Sequence, residues 1–394
     1  MVQGFVAERF IDVANTFKAL AAEQPQGGMA YALFVDGQPV VDLQSGEARP
    51  GQPWDDQTLN LIFSCTKGLV SIIVAQEGER GNLDPHAPVA SYWPEFAAVS
   101  STLTVRQLLE HRAGLSALRG DYTLDQVLNH DYVISELLKQ GPLWEPGTGY
   151  SYHALTFGNL AAELLFRVTG KDIQTLFRER LSEPVGVEAY LGLPAAEEAR
   201  VAEFSSLGSF DAPNALPGSP EDLQLRALTF GNAFPLDEPM LPGIGFNDPR
   251  VHQGVLAGAA AITTARALAK IWSSVVTPTD GVKLLQQPTI DFMRKRTVSG
   301  PPVWGGEGYF HDRGFGVMVE SKGALEWLSD DTFGHDGFGG QAGFASPKHN
   351  AGYGFVTNYM IAGAEEHARW KALVKASREI LESTPSNNGS IVHI

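Results

Sequence analysis

The sequence holds one cysteine, Cys65, in 394 residues, so no internal disulfide can form. That suits a reducing compartment. No apolar run approaches the roughly 18 residues that a membrane-spanning helix needs. The opening segment, MVQGFVAERFIDVANTF, lacks the basic-then-apolar layout of a signal peptide. A soluble cytoplasmic protein is therefore expected. Positive charge is also scarce: 29 Lys and Arg face 45 Asp and Glu, for a net charge of -16. Such a surface repels phosphate backbones and anionic lipid, which disfavours nucleic acid and membrane partners. Gly-x-Ser-x-Gly, His-Glu-x-x-His, a cysteine pair, a Walker loop and a dinucleotide fingerprint are all missing. Neither metal nor cofactor is expected, and the partner left is a small molecule.

Hydrophobic residues make up 43% of the chain, enough for a sizeable core in one large domain or two lobes. Val6, Phe10, Val13, Phe17 and Leu20 recur at helical spacing and predict an opening amphipathic helix. MAYALFV and QPVVDLQSG, joined at Asp36-Gly37, predict a hairpin. KGLVSIIVAQEG, apolar nearly all round, reads as a buried helix. Helices are expected at about Thr104 to His111 and Leu155 to Val168, the latter stopping at Gly170. Residues 185 to 260 read as long loops and AITTARALAKIWSSVV as a helix. RGFGVMVE, QAGFASP and AGYGFVTNYM read as strands. A last helix places Trp370, Leu373, Val374, Ser377 and Leu381 on one face. Strands at both chain ends and helices between predict an α+β (α/β sandwich) fold. An antiparallel sheet domain (residues 1–85 plus 290–394) would adjoin a mostly helical one (86–289), with the active site between them.

Ser64 and Lys67 share a face of the expected buried helix, one turn apart. A serine hydroxyl needs a base within hydrogen-bond reach. A lysine becomes that base when burial or a helix N-terminus lowers its pKa from about 10.4. The same pair could be an ordinary helix start, with serine as cap and lysine in water. Five aromatics, Trp144, Trp304, Tyr309, Phe310 and Phe338, could line an apolar pocket or pack in the core.

Four segments decide between these readings. FSCTKGL, LTVRQLLEHRAGL, WEPGTGYSYHALTFGNLAAELLFRVTG and FGHDGFGGQAGFASP follow one another in an order that resembles the penicillin-recognising serine enzymes. They resemble in particular the family VIII carboxylesterases, which have the class C serine β-lactamase and penicillin-binding-protein (transpeptidase) fold. The likeness runs from about residue 28 to residue 360. It implies that Ser64 is the nucleophile, with Lys67 and Tyr152 as proton carriers, Tyr150 being the second choice for the tyrosine. Either Lys67 or Tyr152 could be the base, and a Lys67 ammonium would lower the Tyr152 pKa. It also implies an oxyanion hole from the N–H groups of Ser64 and Phe338. His335-Asp336-Gly337 stands where the lactamases have Lys-Thr-Gly, and Ala154 where they have asparagine. His335 and Gly337 would contact substrate. A neutral histidine in place of the lysine weakens the attraction for anionic β-lactams and favours neutral esters. The expectation is a serine carboxylesterase acting on small esters through an acyl-enzyme. A β-lactamase, D-aminopeptidase or other amide hydrolase or acyltransferase on the same fold is the alternative. An inactive scaffold or binding relative is the alternative of another class.

Overall fold

The molecule is described by a computed structural model covering residues 1–24, 26–206, 215–234, 243–304, 312–320, 327–361, 363–383 and 388–394. Strands from both ends of the chain meet in one antiparallel sheet. Its members are β1 (Gln3–Ala7), β2 (Gly28–Val35), β3 (Gln38–Arg49), β4 (Gln52–Pro53), β5 (Met318–Val319), β6 (Phe333–Gly337), β7 (Gln341–Ser346), β8 (Ala351–Thr357) and β9 (Ile391–His393). Their order is β9-β1-β3-β2-β8-β7-β6-β5, with β4 beside β3. The β2–β3 hairpin turns at Asp36 and Gly37, both with positive φ (50° and 75°), as an Asp-Gly turn of the primed type requires. β2 is buried along its whole length because both faces of the sheet are covered.

One face packs on helices α1 (Ile11–Glu23) and α5 (Ala368–Glu382), with Phe17 and Trp370 against Tyr31, Phe344 and Tyr353. Trp370, Leu373, Val374 and Ser377 of α5 are buried, as its spacing predicts. The other face packs on α2 (Cys65–Glu79) and α4 (Ala265–Val276), and that core continues into the helical segments, including α3 (Thr156–Thr169). α4 lies on the sheet although its residues fall within 86–289. It approaches so closely that a Cβ at Gly352 would lie 2.1 Å from the Ser273 nitrogen. α2 is buried from Cys65 through Glu77, which explains why no polar face shows in its sequence.

Three expectations need correction. Val6 lies in β1, not in the first helix, which begins at Ile11. Gly4 lets β1 approach β3, since a Cβ there would sit 2.0 Å from the Asp42 oxygen. Strand pairing thus overrides a spacing that fits a helix by coincidence. Ala261–Thr263 is a strand, paired with Asn60–Leu61 and Ala189–Leu191, and the helix starts only at Ala265, capped by Thr264. The stretch 185 to 260 contains helices Pro220–Thr229 and Pro249–Gln253 beside its loops. Both start with an oxygen side chain followed by proline, a cap signal hidden by the surrounding turn residues.

Candidate active site

Ser64 sits at the start of α2. Phe63, just before it, is held at φ 45°, a region a bulky side chain rarely adopts. The rings of Phe204, Phe246 and Phe338 lie 5.1, 4.8 and 5.7 Å from that of Phe63 and lock it there. Ser64 is half-buried and its hydroxyl does not cap the helix. Among the described residues no acceptor engages its backbone N–H, which belongs to the positive end of the helix dipole.

Lys67 is fully buried. Its Nζ lies 2.9 Å from Ser64 Oγ, 2.6 Å from the Ala154 carbonyl and 2.7 Å from the Gly258 carbonyl. Burial, with a further push from the Arg313 charge, moves its pKa well below the usual lysine value. A neutral amine has two N–H donors and one lone pair. The two carbonyls take the donors, which leaves the lone pair for the Ser64 hydroxyl. Gly158 of α3 makes this possible, because it allows the backbone of residues 257–258 to lie against the helix; a Cβ at 158 would be 2.0 Å from the Gly258 nitrogen.

Tyr152 donates its O–H to Ser64 Oγ at 2.8 Å. Tyr150 donates instead to the Gly300 carbonyl, away from Ser64. The expected lowering of the Tyr152 pKa is not found. Burial raises it, and the Arg313 charge and the Ser64 bond only partly oppose this. The burial that disfavours a charged Lys67 also weakens the pull it could exert on a phenolate. Around Tyr152 lie the rings of His111 (5.0 Å) and His335 (6.1 Å, stacked), with Lys67 Nζ 4.9 Å and Arg313 Cζ 4.7 Å from its ring centre.

His153 takes an N–H from Leu115 on Nε2 and gives its Nδ1 proton to the Ser151 carbonyl. Burial lowers its pKa to about 4. His111 accepts the His153 backbone N–H on Nδ1, and burial holds its pKa well below normal. Both histidines are therefore neutral fixtures behind Tyr152. His153 stands in the Tyr152-His153-Ala154 segment and His111 in LEHRAGL, but neither their burial behind Tyr152 nor the place of Arg313 beside it can be read from the sequence.

His335 is buried, not on the surface, and burial lowers its pKa. Its Nδ1 lies 2.7 Å from the Asp336 carbonyl, while Nε2 has no partner among the described residues. Asp336 meets His367, just before α5, at 3.2 Å. Gly337 brings β6 against the start of α2, where a Cβ would be 2.4 Å from the Ile62 oxygen. That contact and the Phe338–Phe63 ring pair put the turn after β6 next to Ser64. Trp144 and Trp304 meet edge-on at 5.4 Å, and Trp144 meets His153 at 5.8 Å, one ring behind the Tyr152 surround. Tyr309 and Phe310 lie outside the described residues. Among the described residues no group of three or more His, Cys, Asp and Glu is placed to hold a metal ion, and no helix is long and apolar enough to cross a membrane. A hollow of about 640 Å³ beside Phe177 and Tyr190 is lined by none of the residues around Ser64.

The Beta-lactamase family model matches residues 13–377. The chain belongs to the beta-lactamase family. An "Esterase/beta-lactamase LipL" of Mycobacterium tuberculosis is 32% identical over 378 residues, spanning 92% of this chain and 84% of that one. A crystal structure of a family VIII carboxylesterase superposes with a TM-score of 0.84 at 30% identity, covering 96% of this chain and 100% of the other. A penicillin-binding-protein homologue from Caulobacter crescentus superposes with a TM-score of 0.85 at 26% identity, covering 96% and 100%. The protein is thus a serine hydrolase of the beta-lactamase and penicillin-binding-protein superfamily, with the α+β fold of its relatives.

Proposed function

We propose that this family member is a carboxylesterase that hydrolyses small, uncharged esters through an acyl-enzyme on Ser64. The observation that carries the reading is the chain of bonds through Ser64 Oγ. Tyr152 O–H donates to it at 2.8 Å, and Lys67 Nζ stands 2.9 Å away with its lone pair free to accept. Lys67 is the base. It takes the Ser64 proton as Oγ bonds to the ester carbon, and the carbonyl oxygen gains the π electrons. The N–H groups of Ser64 and Phe338 hold that oxyanion. When the ester C–O bond breaks, the leaving oxygen takes the Tyr152 proton, and the Lys67 ammonium restores it. Water then enters where the alcohol left. It gives a proton to Tyr152 as the Tyr152 proton moves to Lys67, and collapse returns that proton to Ser64. In this reading the site lies where the sheet, with α2 and α4 on it, meets the helical segments around α3, with His335 and Gly337 on its wall and Trp144 and Trp304 further out.

Ester preference is supported by the buried, neutral His335 and by the similarity to a solved family VIII carboxylesterase. A panel of chromogenic short-chain esters and β-lactams tests it, run beside Ser64→Ala, Lys67→Ala and Tyr152→Phe. Ester turnover abolished by Ser64→Ala is expected. Robust β-lactam turnover with negligible ester turnover would assign the site to lactams.

A further inference from the structure

Arg313 is 7% exposed, and its Nε has no partner among the described residues. Among the described residues no carboxylate pairs with it; its neighbour Asp312 is 3.0 Å from Arg296 instead. A buried cation without a counter-ion is costly and uncommon. Its backbone is pinned by hydrogen bonds with Val298 in both directions, at 3.0 and 3.2 Å. The guanidinium is thereby held over the Tyr152 ring, Cζ 4.7 Å from the ring centre.

This placement meets a difficulty within the mechanism proposed above, on which the inference rests. Burial holds Tyr152 neutral, yet Tyr152 must give up its proton when the leaving group departs. We propose that Arg313 is a positioning residue that acts through Tyr152, its charge stabilising the phenolate formed as the leaving oxygen is protonated. The step balances: the ester C–O bond breaks with its electron pair on oxygen, that oxygen takes the Tyr152 proton, and Lys67 returns one to the phenolate. Among the described residues, the other titratable groups near Tyr152 are neutral or held elsewhere. His111 and His335 are neutral, Cys65 is buried with its thiol on the His335 carbonyl, and Asp336 meets His367. Burial disfavours charge on Lys67 outside the reaction, so among the described residues Arg313 is the standing cation at this ring.

The test is acylation by acetate esters of graded leaving group, from p-nitrophenyl through phenyl to alkyl, in wild type, Arg313→Met and Arg313→Lys. A p-nitrophenolate leaves without a proton; an alkoxide does not. Arg313→Met is expected to slow alkyl esters by about 30-fold while p-nitrophenyl acetate changes less than about threefold. Arg313→Lys should recover most of the loss. The acid limb of the pH profile should move to higher pH in Arg313→Met, because the same charge disfavours a protonated Lys67. Melting should not fall, since a buried cation that no described carboxylate pairs with is removed. An equal loss across the series, no loss at all, or a loss confined to esters carrying a carboxylate would overturn the proposal. Absence of any acyl adduct on Ser64 in the wild type would instead overturn the mechanism beneath it.

Discussion

At the scale of single residues, Lys67 has its surroundings arranged for the neutral form. Two carbonyls and one hydroxyl surround its Nζ, and no water-facing surface remains. Its depressed pKa fixes the sign of the pH dependence. Acidification protonates the amine and fills the lone pair that receives the Ser64 proton, so kcat/KM should rise from pH 6 toward mildly alkaline pH. A flat profile over that range would contradict the assignment. Steady-state rates should fall by about 10²- to 10⁴-fold for Lys67→Ala and for Tyr152→Phe, with folded protein by circular dichroism. Retention of more than a tenth of the activity in either would remove that residue from the proton path. These positions were legible because serine, lysine and tyrosine stand in short segments at fixed offsets. Arg313 was not, because nothing within RGFGVMVE says that its side chain ends over Tyr152. The upward direction of the Tyr152 shift is not legible in the sequence for a related reason. Burial is a property of the fold, and it outweighs the charges nearby.

At the scale of elements, α3 is the support of the base. Gly158 is its contact with the strand-bearing segment at residue 258, whose carbonyl holds Lys67. Gly158→Ala should force that backbone away and destabilise the fold by about 1–3 kcal/mol, with activity falling more than stability predicts. Gly170→Ala, at the left-handed end of the same helix (φ 70°) with open space around it, should cost about 1 kcal/mol and spare the activity. Melting curves and initial rates of the two variants check this. Equal activity in both would mean that α3 does not position the site. The α3 stop at Gly170 and the Asp36-Gly37 hairpin could be read in the sequence because local turn chemistry decides them. β1 and Ala261–Thr263 could not, since pairing with distant strands decides those.

At the scale of the whole molecule, buried histidines tie stability to pH. His111, His153 and His335 are neutral in the fold and protonate freely once it opens, with an ordinary pKa of about 6.5. Their folded pKa values are depressed, so the unfolded chain binds more protons and stability falls as pH drops. It is complete above about 6.5 and, for His153, is lost down to its folded value of about 4. That one residue corresponds to about 3 kcal/mol. Denaturant midpoints at pH 7.5 and 5 should therefore differ, with the acid value lower; an unchanged midpoint would show that these rings are hydrated. Fold and chemistry meet at Ser64, where the sheet, α2 and the helical segments converge. Mass spectrometry of protein quenched during ester turnover addresses that point most directly. The account predicts an acyl adduct on the peptide carrying Ser64 and none in Ser64→Ala; an adduct on another residue, or turnover by Ser64→Ala at the wild-type rate, would contradict it.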